Sequence, residues 1–313
     1  MSIQKEYRRI MLGRKSANSD DAIKGGFIAA GWLPDHDLTG KFPEEWRDFN
    51  RDMIPVYLET YPDKSKVAAG LACGMLHTIC KGARVGDIVM TPDTDGNYHF
   101  GEIAGDYYYD PDYELPHKRP VKWYEVTVHR NELSQALQNS VGSVGTVSTV
   151  TKHAEEIEAI IGNRATPVLV ARDETIEDPS VFALEKHLED FLVANWPQTL
   201  LGRTHDIYTE EGEMIGQQYP SDTGPIDILA ISKDLRELLV VELKKGRASD
   251  NVVGQVQRYM GYVLSELAEE NQTVRGVIIA LEQDKRIEHA LRVAPNIDFY
   301  RYQVKFELLK NAS

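Results

Sequence analysis

The chain has 313 residues, with 49 acidic against 35 basic side chains and a formal net charge of −14. Its 42% hydrophobic and 27% charged content is that of an ordinary soluble globular chain of two domains or one large one, and no apolar run is long enough to cross a bilayer. The acidity argues against tight unspecific coating of nucleic acid, since phosphate contacts need cations. The only cysteines are Cys73 and Cys80, and the first residues, MSIQKEYRRIMLGRKSANSDD, contain no hydrophobic core segment. Both features point to a reducing cytoplasm and away from a secreted disulfide scaffold.

Residues 1–50 are polar and mixed, with Trp32 and Trp46 marking packed structure. Residues 64–81 read as a helix that Gly82 ends. The stretches 85–92 and 98–110, joined by the Asp- and Gly-rich turn 93–97, have the signature of a hairpin. A further strand is expected over 119–128, a Gly- and Ser-bearing stretch over 140–148 and a short helix over 152–161. Residues 163–180 hold two prolines and a charged middle and read as a connection. The organisation expected is a mixed α+β domain over 1–162, a linker over 163–179 and an α/β domain over 180–313. The second domain reads as a helix over 180–195, strands over 224–230 and 238–244, and a helix over 251–268 with Ser249 or Asp250 as N-cap. A strand over 274–281, a helix over 284–293 and a strand over 297–308 complete it.

The chemistry concentrates in two apolar strands. Side chains alternate along a strand, so Leu239, Val241 and Leu243 point one way, and Val240, Glu242 and Lys244 the other. Two charges on one face of a buried strand require partners, and Asp227, in an equally apolar strand, is the natural third member. Two carboxylates converging on one point make a hard-oxygen site suited to Mg²⁺, with Mn²⁺ as a substitute, and the Leu243 carbonyl is a candidate third donor. Lys244 beside them would orient a water or stabilise developing charge. A helical projection of 180–195 puts Glu185 inside the stripe formed by Val181, Leu184, Leu188, Phe191 and Leu192, and Glu189 at its edge. An acid on the core side of a helix needs a metal or a cation nearby. Gln255 and Tyr259 lie four apart on one helix face, and Lys245, Arg247 and Arg258 cluster around the motif as candidate phosphate contacts. The helix-face spacing of Cys73, His77 and Cys80 invites a zinc reading. A structural zinc site needs four ligands, so these three are expected in a core with Ala69 and Leu76.

The pattern Pro225-Ile226-Asp227 followed by Glu242-Leu243-Lys244 resembles the PD-(D/E)XK nuclease superfamily. The stretches LEKHLEDFLVANWP (184–197), TGPIDILAI (223–231), LLVVELKKGRASDNVVGQVQRYMGYV (238–263) and VRGVIIAL (274–281) resemble the C-terminal nuclease domain of the NucS family. The resemblance implies a restriction-endonuclease-like mixed sheet flanked by helices, with a contribution of Glu185 to the metal site. It also implies Gln255 near the metal-bound water or the scissile phosphate, with Tyr259 as a weaker accessory or a DNA contact; the alternative for Tyr259 is an ordinary core aromatic. The implied activity is a Mg²⁺-dependent endodeoxyribonuclease of restriction, phage defence or repair, leaving 5′-phosphate and 3′-hydroxyl ends. Double-strand cutting by a one-site subunit takes two copies, so a homodimer is expected. The hairpin over 85–110 resembles N-terminal regions of restriction-type (Mrr-like) nucleases and small PUA- or EVE-like barrels. In such a barrel Tyr98, Tyr107, Tyr108, Tyr109, Trp123 and Tyr124 would stack on a flipped, modified base; the alternative for them is ordinary half-buried core. The NucS family's own N-terminal DNA-binding domain has no counterpart motif here. A modification-dependent endonuclease and a catalytically silent nucleic-acid-binding fold are the alternatives.

Overall fold

The computed structural model describes residues 5–142, 145–162, 188–210 and 212–303. The chain divides into two compact units, Met1–Val170 and Ala171–Ser313.

The first unit is built in the order β1 (Tyr7–Ile10), α1 (Ser19–Gly25), β2 (Phe27–Ala30), α2 (Trp46–Thr60), α3 (Lys66–His77), β3 (Ile88–Pro92), β4 (Asn97–Ile103), β5 (Tyr108–Tyr109), β6 (His117–His129), α4 (Gln135–Val141), β7 (Val147–Thr149) and α5 (Ala154–Ile161). Its strands run β2-β6-β4-β3-β1-β7, with β5 also on β6. β1 and β3 are parallel and the other pairs antiparallel. Among the described residues this path stays open from β2 to β7, so the closed barrel suggested by the hairpin is not part of its ladders. Separate apolar cores line it: one holds Ile10, Ile28, Phe49, Cys73, Leu76, Val89 and Ile103, the other Tyr7, Met90, Tyr98, Phe100, Leu137 and Ile157.

Several elements depart from the sequence expectation. The polar opening holds β1, all four residues of which are buried, because its arginines find partners: Arg8 pairs with Asp87 at 2.7 Å, and Arg9 donates to the Gly145 carbonyl at 2.7 Å. Its charge hid a strand from any reading by hydropathy. The expected strand over 98–110 ends at Ile103, and β5 is a separate short piece. The helix ended by Gly82 is α3, capped by the Ser65 hydroxyl and finished by a π turn at Thr78–Gly82. Cys73 and Cys80 are free and buried, in a core shared with Ala69 and Leu76.

The second unit contains α6 (described over 188–194), β8 (His205–Ile207), β9 (Thr209–Glu210), β10 (Glu213–Met214), β11 (Gln217–Ser221), β12 (Gly224–Ser232), β13 (Glu237–Ala248), α7 (Asn251–Tyr262), β14 (Thr273–Gln283), α8 (Lys285–Arg292) and β15 (Ile297–Arg301). Its sheet runs β11-β12-β13-β14-β15. β11 and β8 share the outer edge of β12, one along Gly224–Ile228 and the other along Ala230–Ser232. β12 and β13 are antiparallel, whereas β13, β14 and β15 are parallel. A parallel pair needs a crossover, and α7 and α8 supply the two required. One face of the sheet packs Ile228, Ala230, Leu239, Val241, Leu243, Val277 and Ile279 with Trp196, Leu188 and Leu192 from the α6 side. The opposite face meets α7. The contact is close because Gly276 of β14, paired with Val240, has no side chain: a Cβ there would lie 2.5 Å from Val256 Cγ1 and 2.8 Å from Met260 Sδ.

The strand and helix order of this unit follows the sequence expectation from β12 onward. Asp250 takes the N-cap position of α7 but forms no side-chain capping bond; Asp284 caps α8 through the Arg286 and Ile287 amides. The small strands β8 to β11 carry no apolar alternation and were not expected. The expected strand over 297–308 is described as far as Arg301.

Candidate active site

The β12–β13 ladder places Ile228 opposite Val241 and ends there. The next residue pair in that register is Asp227 and Glu242. Ile228 and Val241 both face the Trp196 core, so alternation sends the two acids to the other face, beneath α7. Beyond the last rung, the Asp227 carboxylate fills the gap between the strands: its Oδ2 accepts the Leu243 N–H at 2.8 Å. In an extended strand the N–H and C=O of one residue leave on the same edge, so the Leu243 carbonyl also lies on the Asp227 side.

Glu242 is 2% exposed. Its Oε1 forms an ion pair with Lys244 Nζ at 2.9 Å, as expected for residues two apart on one strand face. A buried carboxylate without compensation is very costly, and Lys244 on the same face provides part of it. After Lys244 the β13–β14 register shifts before resuming at Arg247, which bends the strand just past the motif. On α7, Gln255 Nε2 donates to the Tyr259 hydroxyl at 3.2 Å. The Tyr259 phenol is held above its ordinary pKa by burial, then by the nearby negative charges of Glu242 and Asp227, against lowering by the Gln255 hydrogen bond and Lys244. Its hydroxyl therefore senses both carboxylates and the lysine at once. Gly224, at the start of β12, leaves room for that hydroxyl: a Cβ there would stand 3.2 Å from it, and its φ of +125° is open mainly to glycine.

Asp227, Glu242, Leu243, Lys244, Gln255 and Tyr259 are thus brought together. Tyr259 is only 3% exposed, so it does not present an open surface to DNA. Arg247 and Arg258 are exposed and Lys245 is half-buried; the Lys245 carbonyl accepts from the Tyr302 hydroxyl. Glu185 lies outside the described residues.

The sequence reading missed Glu189. Placed at the edge of the helical stripe, it is 6% exposed and accepts from Gln217 Nε2 and Gln218 Nε2, each at 2.7 Å. The buried helical acid is met here by neutral amides. The only available signal was the apolar neighbourhood of α6, because the amides come from a polar edge strand.

Among the described residues no three His, Cys, Asp or Glu side chains form a metal cage. The donors on offer are two carboxylates and one main-chain carbonyl, all hard oxygens. They fit a small divalent cation that keeps several waters, as Mg²⁺ does.

In the first unit the aromatic residues considered as a stacking platform are mostly engaged in packing. Tyr98 is 4% exposed. Tyr107 hydrogen-bonds His117 at 2.9 Å, Trp123 Nε1 donates to the Ala22 carbonyl at 3.2 Å, and Tyr124 donates to Glu102 at 3.1 Å. Tyr109 donates to the Pro34 carbonyl, and Tyr108 is the exposed member. The described residues contain no helix long and apolar enough to cross a membrane.

A mixed sheet flanked by helices, with an Asp on one strand and a Glu-x-Lys on the next, defines a restriction-endonuclease-like α/β unit. Residues 185–311 match the family model described as the Endonuclease NucS C-terminal domain, so the second unit is similar to that domain. Residues 9–152 match a domain of unknown function, DUF8426. Endonuclease NucS of Methanocaldococcus jannaschii is 29% identical over 102 residues, which are 33% of this chain and 37% of that protein; the chain thus spans little more than a third of the relative's length. Similar solved structures include an EndoMS–dsDNA complex (13% identity, TM-score 0.32, 67% of this chain and 63% of that one). Another is a repair endonuclease from Pyrococcus abyssi (15% identity, TM-score 0.31, 68% and 65%).

Proposed function

We propose that the chain is a divalent-metal-dependent DNA endonuclease whose active site lies under α7. The observation that carries this reading is the placement of Asp227 and Glu242 at the parting of β12 and β13, with Lys244 bonded to Glu242, inside the stretch that matches the NucS C-terminal model. Asp227, Glu242 and the Leu243 carbonyl would hold Mg²⁺ or Mn²⁺. The bound ion would supply Lewis-acid polarisation of the phosphodiester and a lowered pKa for a water. Lys244 places a cation beside the reacting phosphate, where it stabilises charge that grows in the transition state. Gln255, held by Tyr259, offers its amide oxygen to orient a water. The exposed Arg247 and Arg258 are placed for the DNA backbone, whose recognition depends on phosphate contacts. DNA repair is the biological setting this reading favours.

The test is cleavage of plasmid DNA by the purified protein with Mg²⁺, with EDTA and with the Asp227→Ala variant. Cutting that disappears both on chelation and in the variant supports the reading. Full metal-dependent cutting by Asp227→Ala would sink it. Including methylated and hypermodified DNA asks whether the first unit selects the substrate.

A further inference from the structure

The amides of Gln217 and Gln218 reach the two oxygens of one carboxylate, Glu189. In a regular strand successive side chains point to opposite faces, so neighbours cannot share an acceptor without a break in the alternation. The break is visible: Gln218 has φ +51°, the left-handed region, although it is not glycine. Its neighbours keep the β12 register, Gln217 opposite Ile228 and Tyr219 opposite Ile226. The distortion is therefore confined to the residue that stands opposite Asp227. Strained backbone of this kind persists only where the surroundings over-determine it, and it concentrates at functional sites.

The Gln218 amide also has a second use. A side-chain NH₂ carries two donor hydrogens. One goes to Glu189 Oε2 at 2.7 Å and the other to Asp227 Oδ1 at 3.1 Å. With Leu243 N–H on Oδ2, both oxygens of the Asp227 carboxylate are held and its plane is fixed. A carboxylate oxygen carries more than one lone pair, so accepting either of these hydrogen bonds does not by itself bar it from a cation. The donor's neutrality matters as well. A lysine or arginine at this position would repel a divalent ion, whereas an amide orients the carboxylate without opposing charge.

We propose that Gln218, anchored by Glu189, is a positioning residue that sets the Asp227 carboxylate for metal binding. The assignment rests on the nuclease reading of the same site. Partners of this kind, one bond removed from the metal, change affinity by about 10- to 100-fold when lost.

The experiment is calorimetric titration of the full-length protein with Mn²⁺, beside the thermal midpoint of the metal-free form. The proteins compared are the wild type, Gln218→Leu, Glu189→Gln, the double variant and Asp227→Asn. Gln218→Leu is expected to weaken Mn²⁺ binding by ~10-fold or more. Glu189→Gln should weaken it less. The double variant should be no weaker than Gln218→Leu, because Glu189 acts through Gln218. Raising Mg²⁺ should restore the cleavage rate of Gln218→Leu. Wild-type Mn²⁺ affinity in Gln218→Leu, with or without a lowered midpoint, overturns the proposal and leaves the nuclease reading standing. If Gln218→Leu does not fold, near-isosteric Glu189→Gln decides, and unchanged affinity there overturns it. Absence of Mn²⁺ binding in the wild type, or full binding by Asp227→Asn, overturns the nuclease reading and this assignment with it.

Discussion

Gly276→Ala places a methyl group where the sheet and α7 meet. That Cβ would lie 2.5 Å from Val256 Cγ1, 2.8 Å from Met260 Sδ and 3.1 Å from Ile297 Cγ1. Favourable carbon–carbon contacts begin near ~3.5 Å, so the shortfall at Val256 is about 1 Å. Met260 can swing its thioether away, but a β-branched side chain on a helix has essentially one rotamer, so Val256 yields only if α7 moves. Overpacking of this size costs about 1–3 kcal/mol, or a Tm lower by ~2–4 °C for each kcal/mol in a chain of this order of length. α7 also carries Gln255 and Tyr259, so cleavage should fall at temperatures where the variant is still folded. Val256→Ala removes the obstructing methyl group. The double variant should therefore be less destabilised than the sum of the singles, with a coupling of ~0.5 kcal/mol or more, and should regain part of the lost cleavage. Thermal melts and initial cleavage rates of the four proteins test this. Strict additivity, or a Gly276→Ala protein that melts and cuts like the wild type, would refute the contact.

Tyr259→Phe removes the hydroxyl that accepts from Gln255. It should lower the cleavage rate several-fold while costing no more than ~1.5 kcal/mol of stability, the scale of one hydrogen bond. Because burial and the two carboxylates hold the phenol above its ordinary pKa, Tyr259 stays protonated at working pH and the variant's pH–rate profile should keep the wild-type shape; a lost basic limb would contradict this. Burial, and then Lys152, lower the His153 pKa from 6.5 to about 4. Between those values an unfolded chain takes up a proton that the native one does not, so stability should be greatest above about pH 6.5, decline as pH falls towards 4, and level off below. A His153→Gln protein, whose amide can still meet the Ser140 hydroxyl now 2.8 Å from the ring, should show a flatter decline in melts across that window.

Asp227, Glu242 and Lys244 were legible because charge inside apolar strands has few structural explanations, and alternation alone put Glu242 and Lys244 on one face. Gln255 and Tyr259 were legible from helical spacing and the family resemblance together. Gln218 was not. It sits in a short polar strand with a backbone conformation that no propensity assigns to glutamine, and its function comes from a break in periodicity, whereas sequence reading depends on periodicity being kept. Glu189 was half legible: the helical projection found its stripe but not the amides that bury it. In the first unit, β1 escaped because Arg8 and Arg9 are buried through partners 79 and 136 positions away in sequence. No local pattern reports such pairings.

The position of β13 has a consequence for how the site opens. It lies between antiparallel β12 and parallel β14, and residues 238–243 are buried, so its central amides should exchange with solvent only when the whole unit unfolds. β11 is an edge strand, holding Gln218 on the outer side of β12, and edge elements open at lower free energy. Hydrogen exchange should thus divide the site into a slow half around Glu242 and a fast half around Gln218. On warming, the orientation of Asp227 would be lost before the carboxylates themselves disperse, and the proposed cleavage would slow before the fold is lost.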